Sequence, residues 1–124
     1  MKNSLLLFLT VVCVFPSAYA QDDACKEKGR EISRISIRIA KSDDPPHCTQ
    51  SEQFMNAAEY FGTEDEAKYK GEFKKMVAES DDEEKQKIKE CIKDLSEEMI
   101  KEVGDMTEDC IERCRAWFAD SVSE

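Results

Sequence analysis

The stretch "EDCIERCRAWF", residues 108–118, sets Cys110 and Cys114 four apart and follows them with Trp117 and Phe118. Positions at those offsets share one face of an α-helix. Three chemistries compete for two cysteines so spaced. A zinc site needs two more converging ligands, yet the chain holds one histidine, His47, and no Cys-x-x-Cys. A redox pair uses Cys-x-x-Cys with a depressed thiol pKa, and this spacing differs. Two sulfurs one helical turn apart also sit too far apart to join each other without distorting the helix. Each is therefore expected to reach a different neighbouring helix, with Trp117 and Phe118 packed on the same face.

Helix signals recur upstream. "Thr49-Gln-Ser-Glu52", "Thr63-Glu-Asp-Glu66" and "Ser80-Asp-Asp-Glu83" read as capping boxes, and Asp105 with Glu108 as a looser one. Apolar residues follow at helical spacing: Phe54, Ala57, Ala58 and Phe61; then Tyr69, Phe73, Met76 and Val77; then Ile88, Cys91, Ile92, Leu95, Met99 and Val103. Gly62 and Gly104 stand where helices stop, and Gly71 weakens the third segment. Acid-before-base pairs four apart, such as Glu64 with Lys68 and Glu97 with Lys101, dress the outer faces.

"EISRISIRIA" (31–40) is ambiguous, because Ile32, Ile35 and Ile39 fit a helix while Ile35, Ile37 and Ile39 alternate like a strand. A lone strand has nothing to pair with, so helix is expected, ending before the prolines of "SDDPPHC". The fold expected is all-α: a compact disulfide-stapled bundle of four to five short helices.

The chain opens with Lys2, an apolar run from Leu5 to Phe15, and small residues at Ala18 and Ala20. That pattern reads as a secretory signal peptide over 1–20, too short an apolar run to span a bilayer. Residues 21–124 are then expected to form a single helical disulfide-bonded domain, secreted and extracellular. Loss of the leader leaves 104 residues and moves the formal charge from −10 to −11. A chain so acidic is unsuited to nonspecific nucleic-acid binding or to docking on anionic membranes.

Cys13 leaves with the leader, and Cys25, Cys48, Cys91, Cys110 and Cys114 remain. In an oxidising compartment they read as a disulfide framework with one thiol over. An antiparallel hairpin turning near Gly104 puts Cys91 and Cys114 at similar distances from the turn, so Cys91–Cys114 is the first bridge expected. Cys110 then takes Cys48 or Cys25. Cys25, near the new N-terminus, is the cysteine assigned as unpaired or bridging to a second chain in a disulfide-linked homodimer.

No catalytic constellation is legible. His47 beside Cys48 lacks the geometry of a nucleophile pair, no glycine-rich phosphate loop or metalloprotease motif occurs, and "SDDEEK" (80–85) lacks a calcium loop's central glycine. No cofactor or metal is expected. Two non-catalytic classes remain. The first is a secreted acidic protein acting on an extracellular protein or receptor, a build shared by venom, salivary, parasite-effector and signalling proteins. The second is an extracellular carrier of a small hydrophobic ligand, its lining drawn from Phe54, Phe61, Phe73, Leu95, Met99 and Trp117. That second class resembles insect odorant-binding proteins in build. It departs from their six-cysteine pattern, because here the Cys-x-x-x-Cys ends the chain. The same six side chains serve equally as a packed core, which ranks interaction protein above carrier.

Overall fold

The computed structural model describes residues 24–123, so the segment read as a signal peptide lies outside the described residues. Helix α1 runs through residues 24–40. A 3₁₀ turn, His47–Thr49, follows the prolines. Then come α2 (Glu52–Glu59), α3 (Glu66–Glu79), α4 (Asp82–Val103) and α5 (Glu108–Ser121). No strand occurs among the described residues, so the alternating isoleucines lie on a helix.

The helices begin one or two residues later than the capping boxes suggest. Ser51, Asp81 and Thr107 hold the extended backbone of an N-cap. Their side-chain oxygens accept the N–H of Phe54 at 3.0 Å, Glu84 at 2.8 Å and Cys110 at 3.1 Å. Thr49 cannot cap α2, because it lies inside the 3₁₀ turn and donates to the Pro46 carbonyl at 2.8 Å. Ser80 closes α3 by donating to the Met76 carbonyl at 3.0 Å. Only at α3 does the box survive in part: Glu66 Oε1 accepts the Gly62 N–H at 3.1 Å, and Thr63 Oγ1 accepts that of Asp65 at 3.2 Å.

Two helical hairpins frame the molecule. In the first, α2 and α3 meet through Phe54 edge-on to Phe73 at 6.0 Å and Tyr60 stacked on Tyr69 at 4.3 Å. In the second, α4 turns back as α5 across Gly104 and Asp105, whose φ of 63° and 50° both lie in the left-handed region that suits glycine. The bidentate Glu97–Arg115 pair, 2.7 to 3.1 Å, fixes where these two helices are level. The hairpins meet where α3 contacts α4 and α5, around Phe73, Val77, Ile92 and Met99, each no more than 2% exposed.

Helix α1 enters this core on a less apolar stripe than its isoleucines suggest. Gly29, Ile32 and Ser36 are buried, while Ile35, Ile37 and Ile39 are only partly so. Small residues let the helices approach closely. Ser33 donates to the Ala58 carbonyl, and Ser36 Oγ lies 2.8 Å from the Ile32 carbonyl and 3.0 Å from Met99 Sδ.

The two interior glycines give opposite expectations. A Cβ on Gly29 would stand 2.6 Å from Phe61 Cε1, whereas one on Gly71 meets nothing within 4 Å. Gly29→Ala should destabilise by about 1–3 kcal/mol through overpacking. Gly71→Ala should stabilise by roughly 0.5–1 kcal/mol, from helix propensity and a less flexible unfolded chain. Urea unfolding midpoints of the two variants check both signs.

Candidate functional site

The cysteines pair as Cys25–Cys110 and Cys48–Cys91, with Cα separations of 5.6 and 5.7 Å. Cys114 is the free thiol among the described residues and is buried. The expected Cys91–Cys114 bridge is therefore corrected, and so is the assignment of Cys25 as the odd cysteine. The cause is register. Cys91 stands twelve residues before the end of α4, but Cys114 only six past the start of α5, because residues 104–107 form the turn. Six residues of offset is about 9 Å at 1.5 Å per residue, beyond the roughly 6.8 Å of Cα separation a disulfide tolerates. Of the two partners left open for Cys110, the structure uses Cys25. With Cys25 bonded within the chain, the intermolecular bridge assigned to it has no thiol.

Burial raises the Cys114 thiol above the ordinary cysteine range, which keeps it protonated and weakly nucleophilic. Cys48 is oxidised, so His47 has no neighbouring thiol to activate; the imidazole pairs instead with Glu84. No cluster of three or more His, Cys, Asp or Glu side chains poised to hold a metal occurs among the described residues.

The six side chains named as a ligand lining are brought to one interior. Phe54, Phe73, Leu95 and Met99 are no more than 5% exposed, while Phe61 and Trp117 are partly buried at its edge. Phe54, Phe61, Phe73 and Trp117 do line an internal cavity, together with Ser33 and Ser36, but its volume is about 20 Å³. That space suits one water molecule, whereas small-ligand sites run to roughly 300–1,000 Å³. Leu95 and Met99 do not border it.

Trp117 closes this interior in an aromatic cluster. Phe61 meets it edge-on at 4.9 Å and Phe118 at 5.2 Å, and the Lys70 ammonium stands 5.0 Å from its ring centroid. Its Nε1 is buried without a hydrogen-bond partner among the described residues. Lys70 also pairs with Asp120 at 2.6 Å, which draws the Asp120 carboxyl below its usual range. Arg115 likewise depresses Glu97 through its hydrogen bonds. Neither pair could be read in advance, because each joins residues on different helices.

No helix among the described residues is long and apolar enough to cross a membrane. The chain matches no known family model, and comparison with curated proteins and with solved structures finds no similar protein.

Two measurements follow from this geometry. Cys114 should resist iodoacetamide in the native protein and alkylate completely in denaturant, one thiol per chain by intact mass. A carboxylate whose folded pKa is depressed adds stability that is present above its unfolded pKa and lost as pH falls through the folded value. The Tm difference between the wild type and Glu97→Gln should therefore be positive at neutral pH and vanish on acidification below the ordinary carboxylate range.

Proposed function

We propose that this chain is a secreted, non-catalytic protein that acts by binding an extracellular protein, on a surface held rigid by its two disulfides. One observation carries the reading: the interior is filled, with about 20 Å³ left open, so recognition falls to the outer helix faces. The residues that would line a carrier's pocket instead pack on one another, as close-packed interiors do. Disulfides at Cys25–Cys110 and Cys48–Cys91 suit an oxidising compartment, in keeping with the leader-like first twenty residues.

Native mass spectrometry of the protein expressed in a eukaryotic secretory host tests the proposal. The expected species is cleaved after Ala20, carries two disulfides and one thiol, and bears no adduct. A stoichiometric lipid-sized adduct would overturn the reading in favour of a carrier. Retention of residues 1–20 would remove secretion by this leader. A dimer dispersed by reductant would show that Cys114 leaves the core, since no other thiol is open to it among the described residues.

A further inference from the structure

Three grooves on the outer surface differ in what they offer. One, of about 420 Å³ between α2 and α3, is rimmed by Glu52, Glu72, Glu79 and Lys75 around little apolar surface. A second, of about 530 Å³ beside Cys25 and Trp117, mixes Lys26, Glu66 and Arg113. The third, of about 620 Å³, lies along the seam of α4 and the last turns of α5. Its floor is Ile92, Phe118, Ala119 and Val122, and its charged rim is Lys89, Lys93, Arg115 and Glu97. Three bases against one acid make this groove positive on a chain whose formal charge is −10.

The rim charges are not all spent within the fold. Arg115 and Glu97 satisfy each other. Lys93 helps depress Glu97, yet neither Lys93 nor Lys89 has an ion pair within 4.0 Å among the described residues. The two lysines stand one helical turn apart, where like charges repel. Two lysines one turn apart beside an apolar floor are the feature that an acidic partner complements; the groove beside Cys25 has Lys26 and Arg113 against Glu66, a smaller excess of positive charge.

Resting on the interaction reading above, we propose that the α4–α5 groove is the partner site. Its occupant is a short amphipathic segment of another protein, with one or two aliphatic or aromatic side chains flanked by Asp or Glu. The apolar side chains enter between Ile92 and Phe118 and across Ala119 and Val122. The flanking carboxylates meet Lys89 and Lys93, charge-assisted contacts on the margin of a desolvated floor. From Lys89 to Ser96 the groove extends about 10 Å along α4 at 1.5 Å per residue, the length of two turns of a docked helix. The rest of the surface is acidic on average and so disfavours an acidic segment, while attraction at the groove acts at contact. At physiological salt, charges more than about 8 Å apart are largely screened, so the distant acids do not cancel the local lysines.

The test pans phage-displayed random 16-residue peptides on the disulfide-intact protein. Counter-targets are the double variant Lys89→Glu/Lys93→Glu and, separately, Ala119→Trp, which fills the groove from an exposed position. Circular dichroism and intact mass verify that each variant is folded and oxidised. The expected result is enrichment of peptides with Asp or Glu beside an aliphatic or aromatic residue, bound at least tenfold more weakly by both variants. Enriched peptides that bind all three proteins equally would overturn the groove while leaving the interaction reading standing. Absence of enrichment would overturn the proposal. If titration with dodecanoate then moved the backbone amide resonances of Ala119 and Val122, the groove would be a small-anion site, and the interaction reading would fall as well.

Discussion

Everything in this molecule depends on two cross-links that tie its N-terminal half to the α4–α5 hairpin. Cys25–Cys110 fastens the first turn of α1 to the first turn of α5 across 85 residues of sequence. Cys48–Cys91 fastens the 3₁₀ turn to the middle of α4 across 43. The need for them is visible in α1, whose buried stripe includes a glycine and a serine and so contributes little hydrophobic free energy. A disulfide closing loops of this length is worth about 2–4 kcal/mol, against a total stability of roughly 5–15 kcal/mol for a domain. The bridges also decide geometry. The first ties α1 to α5, and the second holds the 3₁₀ turn on α4, where Cys48 and Thr49 are buried.

The helices were legible in the sequence because each is amphipathic and punctuated. Gly104 ends α4 where the pattern put it, and most of the apolar positions of α4 and α5 bury, with Cys91, Val103 and Trp117 only partly covered. The capping residues were legible only to within one or two positions. A hydroxyl and a glutamate three apart mark a start, but runs such as Thr49 to Ser51 and Ser80 to Asp81 offer two candidates each. Backbone conformation chooses between them, and the 3₁₀ turn had already claimed Thr49. In α1 the period misled in a different way. Isoleucines drew attention to one side of the helix, while close approach to Phe61 and Ala58 demanded small residues on another.

The disulfide pairing was illegible for a reason of register rather than of chemistry. Counting from Gly104 makes Cys91 and Cys114 look level, since it treats the turn as a point. The turn instead uses four residues, 104–107, so α5 starts later and Cys114 pairs in height with the region of Glu97. Cys110, at the base of α5, is left facing the chain's first helix. The same offset aligns Ile92 with Phe118 and opens the seam between Lys93 and Val122. The length of the turn thus sets both the covalent framework and the surface groove.

Charge is where sequence and structure diverge most usefully. Composition gives only an acidic average, and a formal charge of −10 argues for solvated faces wherever helices meet water. Folding redistributes that average. Acids gather at helix starts, where the dipole favours them; Asp82, Glu83 and Glu84 occupy one such turn, and Glu108 and Asp109 another. Bases are then drawn to acids on neighbouring helices, as Lys70 and Lys74 are to Asp120 and Arg38 is to Glu102. Exposed pairs of this sort are screened by solvent, so their value to the fold is orientation more than stability. Lys89 and Lys93 make no ion pair within 4.0 Å among the described residues, though Lys93 acts on Glu97 one turn away; they repel each other along α4 and border the largest of the surface grooves described. A groove that sets Lys89 and Lys93 beside an apolar floor of Ile92, Phe118, Ala119 and Val122 has the chemistry to select an acidic partner.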